Sequence, residues 1–106
     1  MKLVISEVIK QSNAISHSDG LKLYDYVLLN LKGKAYILSF DGINRVSTAF
    51  LNASIGKLFI DGLFQEDFID KAETKDIILK KIDSVLANAK NPDVYNQAVN
   101  DAHELC

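Results

Sequence analysis

Residues 34–40 form a nearly continuous apolar run of strand length, and Asp41-Gly42 ends it. A run without polar alternation is the pattern of a strand covered on both faces. Directly after the break come Ile43, Asn44, Arg45 and Val46, and then Ser47-Thr48. From residue 48 to about residue 60, Leu51, Ser54, Ile55, Leu58 and Phe59 recur at helical spacing. A covered strand that feeds a helix through a short loop confines the chain to α/β architectures. It also gathers two hydroxyls, the chain's only arginine and the N–H groups of a helix start in one place.

The rest of the sequence fits around this unit as one domain over residues 1–106. A chain of 106 residues buries one ordinary core. A hydrophobic content of 48% with 25% charged residues argues against global disorder. The net charge of −2, with acids and bases interspersed, gives no electrostatic reason to expect nucleic acid. A sequence pI of 5.6 also disfavours an anionic membrane surface. No apolar run approaches the ~20 residues of a membrane span. The single cysteine, Cys106, leaves no internal disulfide, which fits a reducing cytoplasm. It reads as an exposed terminal thiol rather than a nucleophile.

Residues 2–9 are rich in aliphatic and β-branched side chains and predict a strand. Ser18 and Asp19 are N-cap candidates for a helix carrying Leu21, Tyr24, Val27, Leu28 and Leu31, with Gly33 closing it. Tyr24 and Tyr26 read as one core ring and one rim ring. Residues 68–73 suggest a short edge strand. Thr74 is placed to cap a helix with the stripe Ile78, Ile82, Val85, Leu86 and Ala89, while Lys80, Lys81, Asp83 and Asn88 face outward. Asn91-Pro92-Asp93 restarts a last helix with Val94, Tyr95, Ala98, Val99, Ala102 and Leu105. The expected order is β-α-β-α-β-α-α: a small α/β sandwich whose short mixed or parallel sheet is covered by helices, starting with a right-handed βαβ unit.

Most candidate chemistry fails on spacing. His17 and His103 have no Cys or carboxylate beside them at metal-ligand spacing, so neither a metal nor a cofactor is expected. Glu66, Asp67, Asp70 and Glu73 lack the ligand-and-glycine pattern of a calcium loop and read as a solvated edge. No glycine-rich phosphate loop and no nucleophile–His–acid spacing is present, so no catalytic residues are assigned. Ser47 and Thr48 remain. Ser47 fits a simple N-cap. The same geometry would also accept a phosphate on either hydroxyl, since the helix end presents N–H groups and positive potential. Arg45 could pair with that phosphate or with an acidic partner. Asp41, Asn44, Arg45, Phe50 and Asn52 complete the candidate partner-binding or anion-binding surface.

Residues 40–58 resemble the STAS-like domain of unknown function, a relative of bacterial anti-sigma-factor antagonists. The matching positions are Phe40, Gly42, Ile43, Val46, Ser47, Phe50, Leu51, Asn52, Gly56 and Leu58. The resemblance extends over most of the first 60 residues. It implies a non-enzymatic, cytoplasmic, bacterial or phage-encoded regulatory module that works by binding another protein. In the antagonist relatives a histidine-kinase-like ATPase phosphorylates a Ser or Thr at the start of this helix, and a partner is released. By position Thr48 matches the phosphoacceptor and Ser47 its neighbour. Val46 and Ala49 stand where the relatives' switch motif has Asp and Gly. Two alternatives stay open from the residues themselves. One is a domain that binds a nucleotide or other small phosphorylated ligand at the same helix start. The other is a phage or mobile-element inhibitor that blocks a larger complex.

Overall fold

Two stretches of chain run side by side in the same direction and carry the framework of the molecule. A computed structural model describes residues 2–90. Strand β1 (Lys2–Val4) pairs in parallel with β3 (Ile37–Ser39), with Leu3 opposite Leu38. Further along the same stretches, β2 (Asn13–Ala14) pairs in parallel with β4 (Arg45–Val46), with Ala14 opposite Val46. Each stretch is interrupted between its two strands. On one side the interruption is the short helix α1 (Ile5–Ile9); on the other it is a turn in which the Ile43 N–H donates to the Phe40 carbonyl at 3.0 Å. Gly42 holds a φ of 80° in that turn, the left-handed value that position i+2 of a type II turn demands. The Ser6 hydroxyl donates to the Asp41 carbonyl and ties the two interruptions together.

The strand expected over residues 2–9 is therefore strand only to Val4. Ile5 and Ile9, four residues apart, are both buried in a helical turn, where that spacing shares one face. The β-branched residues obey their tertiary surroundings rather than their propensity. Lys10 closes α1 at a φ of 60°, a left-handed conformation that a side chain adopts at some cost.

Helix α2 (His17–Asn30) starts earlier than expected, and its cap is Ser16 rather than Ser18 or Asp19. The Ser16 hydroxyl accepts from the Asp19 N–H, which puts Asp19 inside the first turn. Leu23, Tyr24 and Val27 face the core, and the Tyr24 hydroxyl donates to Asp61; Tyr26 is half-buried at the rim. The apolar run of residues 34–40 is strand only over Ile37–Ser39, with Tyr36 buried just before it and its hydroxyl donating to the Leu63 carbonyl at 2.7 Å.

The helix expected from residue 48 to about residue 60 is present in three joined parts. Helix α3 (Thr48–Leu51) widens into a π-helical segment, Asn52–Gly56, and continues as α4 (Lys57–Ile60). The Ser54 hydroxyl donates to the Phe50 carbonyl at 2.8 Å and so competes for the acceptor a regular α-helix reserves for the backbone. Helix α2 crosses this run closely at Gly20, where a Cβ would lie 2.6 Å from the Phe50 carbonyl oxygen and 2.7 Å from Ala53 Cβ.

No regular strand forms over residues 68–73. Two 3₁₀ turns, Glu66–Phe68 and Lys71–Glu73, flank Ile69, which makes a lone parallel bridge to Leu38. The reason is Asp70, whose carboxylate accepts from the Ala72 and Glu73 N–H groups and bends the chain there. Thr74 does not cap the next helix: its hydroxyl donates to the Asp70 carbonyl at 2.7 Å. Helix α5 (Asp76–Ala89) starts after Lys75 at its cap position, and its buried stripe is Ile78, Ile82, Val85, Leu86 and Ala89, as the spacing predicted. The helix expected after Pro92 lies outside the described residues. The α/β class thus holds, as helices on short parallel pairs, but the expected order β-α-β-α-β-α-α does not. Strands β3 and β4 follow one another with only a turn between them, and no strand directly precedes α5. In place of one small sheet there are, among the described residues, two separate two-stranded pairs.

Candidate functional site

The β2/β4 pair delivers the chain directly into two neighbouring helix starts. Past Ala14 the chain enters α2 through Ile15 and Ser16; past Val46 it enters α3 through Ser47. The two exits are bonded together. The Ser47 N–H donates to the Ala14 carbonyl at 2.9 Å, and the Ser47 hydroxyl donates to the Ile15 carbonyl. The same hydroxyl accepts from the Phe50 N–H at 3.0 Å and so caps α3. Ser47 is therefore used as donor and acceptor at once, in a half-buried position.

Thr48 is different. It is the first residue of α3 and is exposed to solvent. In this first turn the leading N–H groups have no carbonyl within the helix to serve them. The turn contains no acidic residue, whereas the first turn of α2 contains Asp19. Asp19 is buried, accepts from the Gln11 side-chain amide and pairs with Lys22 at 3.3 Å. The positive end of α2 is thus answered by its own carboxylate, and that of α3 is not.

Of the other sequence-predicted residues, Asp41, Asn44 and Arg45 are exposed along the loop that leads to Thr48. The Asn44 N–H donates to the Ser12 carbonyl at 2.7 Å, which holds the loop against β2. Two candidates are corrected. Phe50 is fully buried in the core, and Asn52 is 1% exposed inside the π-helical segment. Neither side chain is on the surface, which is left to Thr48 and Arg45.

The structure brings in residues that the sequence pattern does not connect to the site. Lys81 reaches across from α5 and donates from Nζ to the Val46 carbonyl at 2.7 Å. Ile15 and Ile77 stand exposed and line, with Arg45 and Lys81, an open groove of about 380 Å³. Ile77 is off the apolar stripe of α5, and that departure is the one signal the sequence carries.

The acidic cluster is explained without a ligand. Asp70 caps a turn, Glu73 pairs with Lys2, and Glu66 pairs with Lys90 at 3.2 Å. The Glu73 partner also pushes the Lys2 ammonium pKa above its ordinary value. Among the described residues, no group of three or more His, Cys, Asp and Glu side chains is placed to hold a metal ion. Among them, too, no helix is long and apolar enough to cross a membrane. His103 and Cys106 lie outside the described residues.

A family model described as a STAS-like domain of unknown function matches residues 19–79, more than half of the chain, and the chain belongs to that family. The matched span runs from the first turn of α2 through the whole Ser47–Thr48 region and into α5. No curated protein and no solved structure matches the chain.

Proposed function

We propose that this chain is a non-enzymatic regulatory module that binds a partner protein through the 41–48 loop and the start of α3, and that phosphorylation of Thr48 switches the binding. The observation that carries the reading is the division of labour between two adjacent hydroxyls. Ser47 is consumed by the fold, while Thr48 is exposed on a helix start that lacks its own acid. A phosphate there adds close to two negative charges to a surface that carries Arg45, and the helix end favours them. The surface changes its charge without unfolding, which is what a release switch requires.

The resemblance to anti-sigma-factor antagonists suggests the partner class: a histidine-kinase-like ATPase that both binds and modifies the module. It also suggests a bacterial or phage setting and a cytoplasmic one. Mass mapping of the protein isolated from its native host tests the reading. Phosphate on Thr48, with Ser47 unmodified, is expected in the partner-free fraction. Phosphate on Ser47 instead, or an unmodified Thr48 in every fraction, counts against the switch.

A further inference from the structure

The groove beside β4 has properties that the fold does not account for. Its two most exposed apolar side chains are Ile15, 45% exposed, and Ile77, 64% exposed. Ile15 precedes the Ser16 cap of α2, where an apolar residue ordinarily staples onto the fourth residue of the helix. That residue is Gly20, which has no side chain to meet it. Ile77 is the second residue of α5, in a first turn where an acidic or polar residue would suit both solvent and the helix dipole. Neither isoleucine is needed where it stands for its helix to form.

The charges around the groove are also one-sided. Its lining contains Arg45 and Lys81 and no acid, on a chain whose net charge is −2. Lys81 is fixed by its bond to the Val46 carbonyl, so one cation is held at the groove wall while Arg45 stands exposed. Asn44 and Ser47 add neutral polar atoms to the same lining.

We infer that this groove docks a short amphipathic segment of a partner protein whose apolar side chains cover Ile15 and Ile77 and whose carboxylates meet Arg45 and Lys81. The inference rests on the reading of this face as protein-binding and supplies the chemistry of the partner. It also connects the switch to the docking. A phosphate on Thr48, three residues from Arg45, competes for the cation the partner's carboxylates use and repels them.

The test uses labelled synthetic peptides of about fourteen residues, long enough to form a helix on binding. One is built from Leu, Ala and Glu with one apolar face. A second has lysine for every glutamate, and a third has serine for every leucine. Binding is followed by fluorescence anisotropy and mapped by amide chemical shifts. The glutamate peptide is expected to bind with shifts clustered at Ile15, Arg45, Ile77 and Lys81, and the other two are not. Its affinity should fall about tenfold in Arg45→Glu and about tenfold in Ile77→Asp, each near the value of one good contact. The thermal midpoint of Ile77→Asp should not drop, because an acid suits that helix position. Raising salt from about 50 to about 500 mM should weaken binding severalfold.

Equal binding of the lysine peptide overturns the inference, as do shifts that map elsewhere or no saturable binding up to about 1 mM, the weakest affinity worth the name. Inorganic phosphate that shifts Arg45 and Lys81 while the glutamate peptide does not bind also overturns it, in favour of a small-anion site. Thr48→Glu separates the two proposals. Peptide binding that survives Thr48→Glu leaves the groove intact and removes the switch. A native partner released by Thr48→Glu, with no peptide bound, keeps the switch and removes the groove chemistry.

Discussion

Helices α2 and α3 leave the β2/β4 pair side by side and begin with the same device, a serine whose hydroxyl accepts from the N–H three residues on, at 3.0 Å in both. They differ in the residue that supplies that N–H. At α2 it is Asp19, buried and held by Gln11 and Lys22. At α3 it is Phe50, which plunges into the core and brings no charge. One helix start is therefore closed by its own carboxylate, and the other is left open with an exposed threonine on it. On the proposed reading, the open start is the one at which charge arrives from outside.

Forcing the two helices apart should have the largest effect. Gly20→Ala places a Cβ against the Phe50 carbonyl, where backbone rather than a flexible side chain stands in the way. A loss of about 2–3 kcal/mol is expected, at the upper end for overpacking, and chemical denaturation measures it. The two starts are separated next by single hydroxyls. Ser47→Ala removes a cap and the bond to the Ile15 carbonyl and should cost about 1–2 kcal/mol. Thr48→Ala should stay within about 0.5 kcal/mol, since nothing in the fold leans on that side chain. Equal losses in the two variants would erase the distinction between them.

A smaller effect runs in the opposite direction. Thr48→Glu supplies α3 with the acid that α2 already owns and should raise stability by about 0.3–1 kcal/mol at low salt, read from the unfolding midpoint. The far end of the run that α3 begins is tied to α2 by Tyr24, whose hydroxyl donates to Asp61 at the C-terminal end of α4. That bond, with burial and the nearby carboxylate charges, pushes the Tyr24 phenol from the ordinary 10 to about 12. Burial alone does the same for Tyr36. Both shifts favour the neutral phenol in the folded chain. The stability they contribute is full below pH 10 and is lost as pH rises toward about 12. Tyr24→Phe should flatten part of that fall in a pH series of unfolding curves; an unchanged slope would show that the Asp61 tie is not formed.

How much of the molecule is legible in the sequence depends on whether a pattern is local. The α5 stripe from Ile78 to Ala89 and the Ser47 cap are legible because helical spacing and capping are written within a few residues. The first segment misleads because Ile5 and Ile9 carry strand propensities, and only the packing around them decides for a helical turn. Ser16 is masked by Ser18 and Asp19 because three cap-competent residues stand close together, and the partner of each side chain is a matter of where the chain bends. At the site, Thr48 and Arg45 are visible in sequence. The burial of Asn52 is not, because it sits in the π-helical segment where ordinary helical spacing no longer holds, and Phe50, in α3 ahead of that segment, is buried by packing that only the fold supplies. Lys81 is out of reach altogether and Ile77 shows only as an apolar residue off the α5 stripe, because both come to β4 from more than thirty residues away.

The open helix start, on this reading, controls a protein interface, and the closed one does not. Partner binding by Thr48→Glu and Thr48→Ala, measured side by side with Ser18→Glu in the first turn of the closed helix, puts that difference to the test. Thr48→Ala and Ser18→Glu should bind as the unaltered chain does, while Thr48→Glu should lose at least about tenfold, the effect of one repelled charge contact. Thr48→Glu binding as tightly as the unaltered chain would contradict that control.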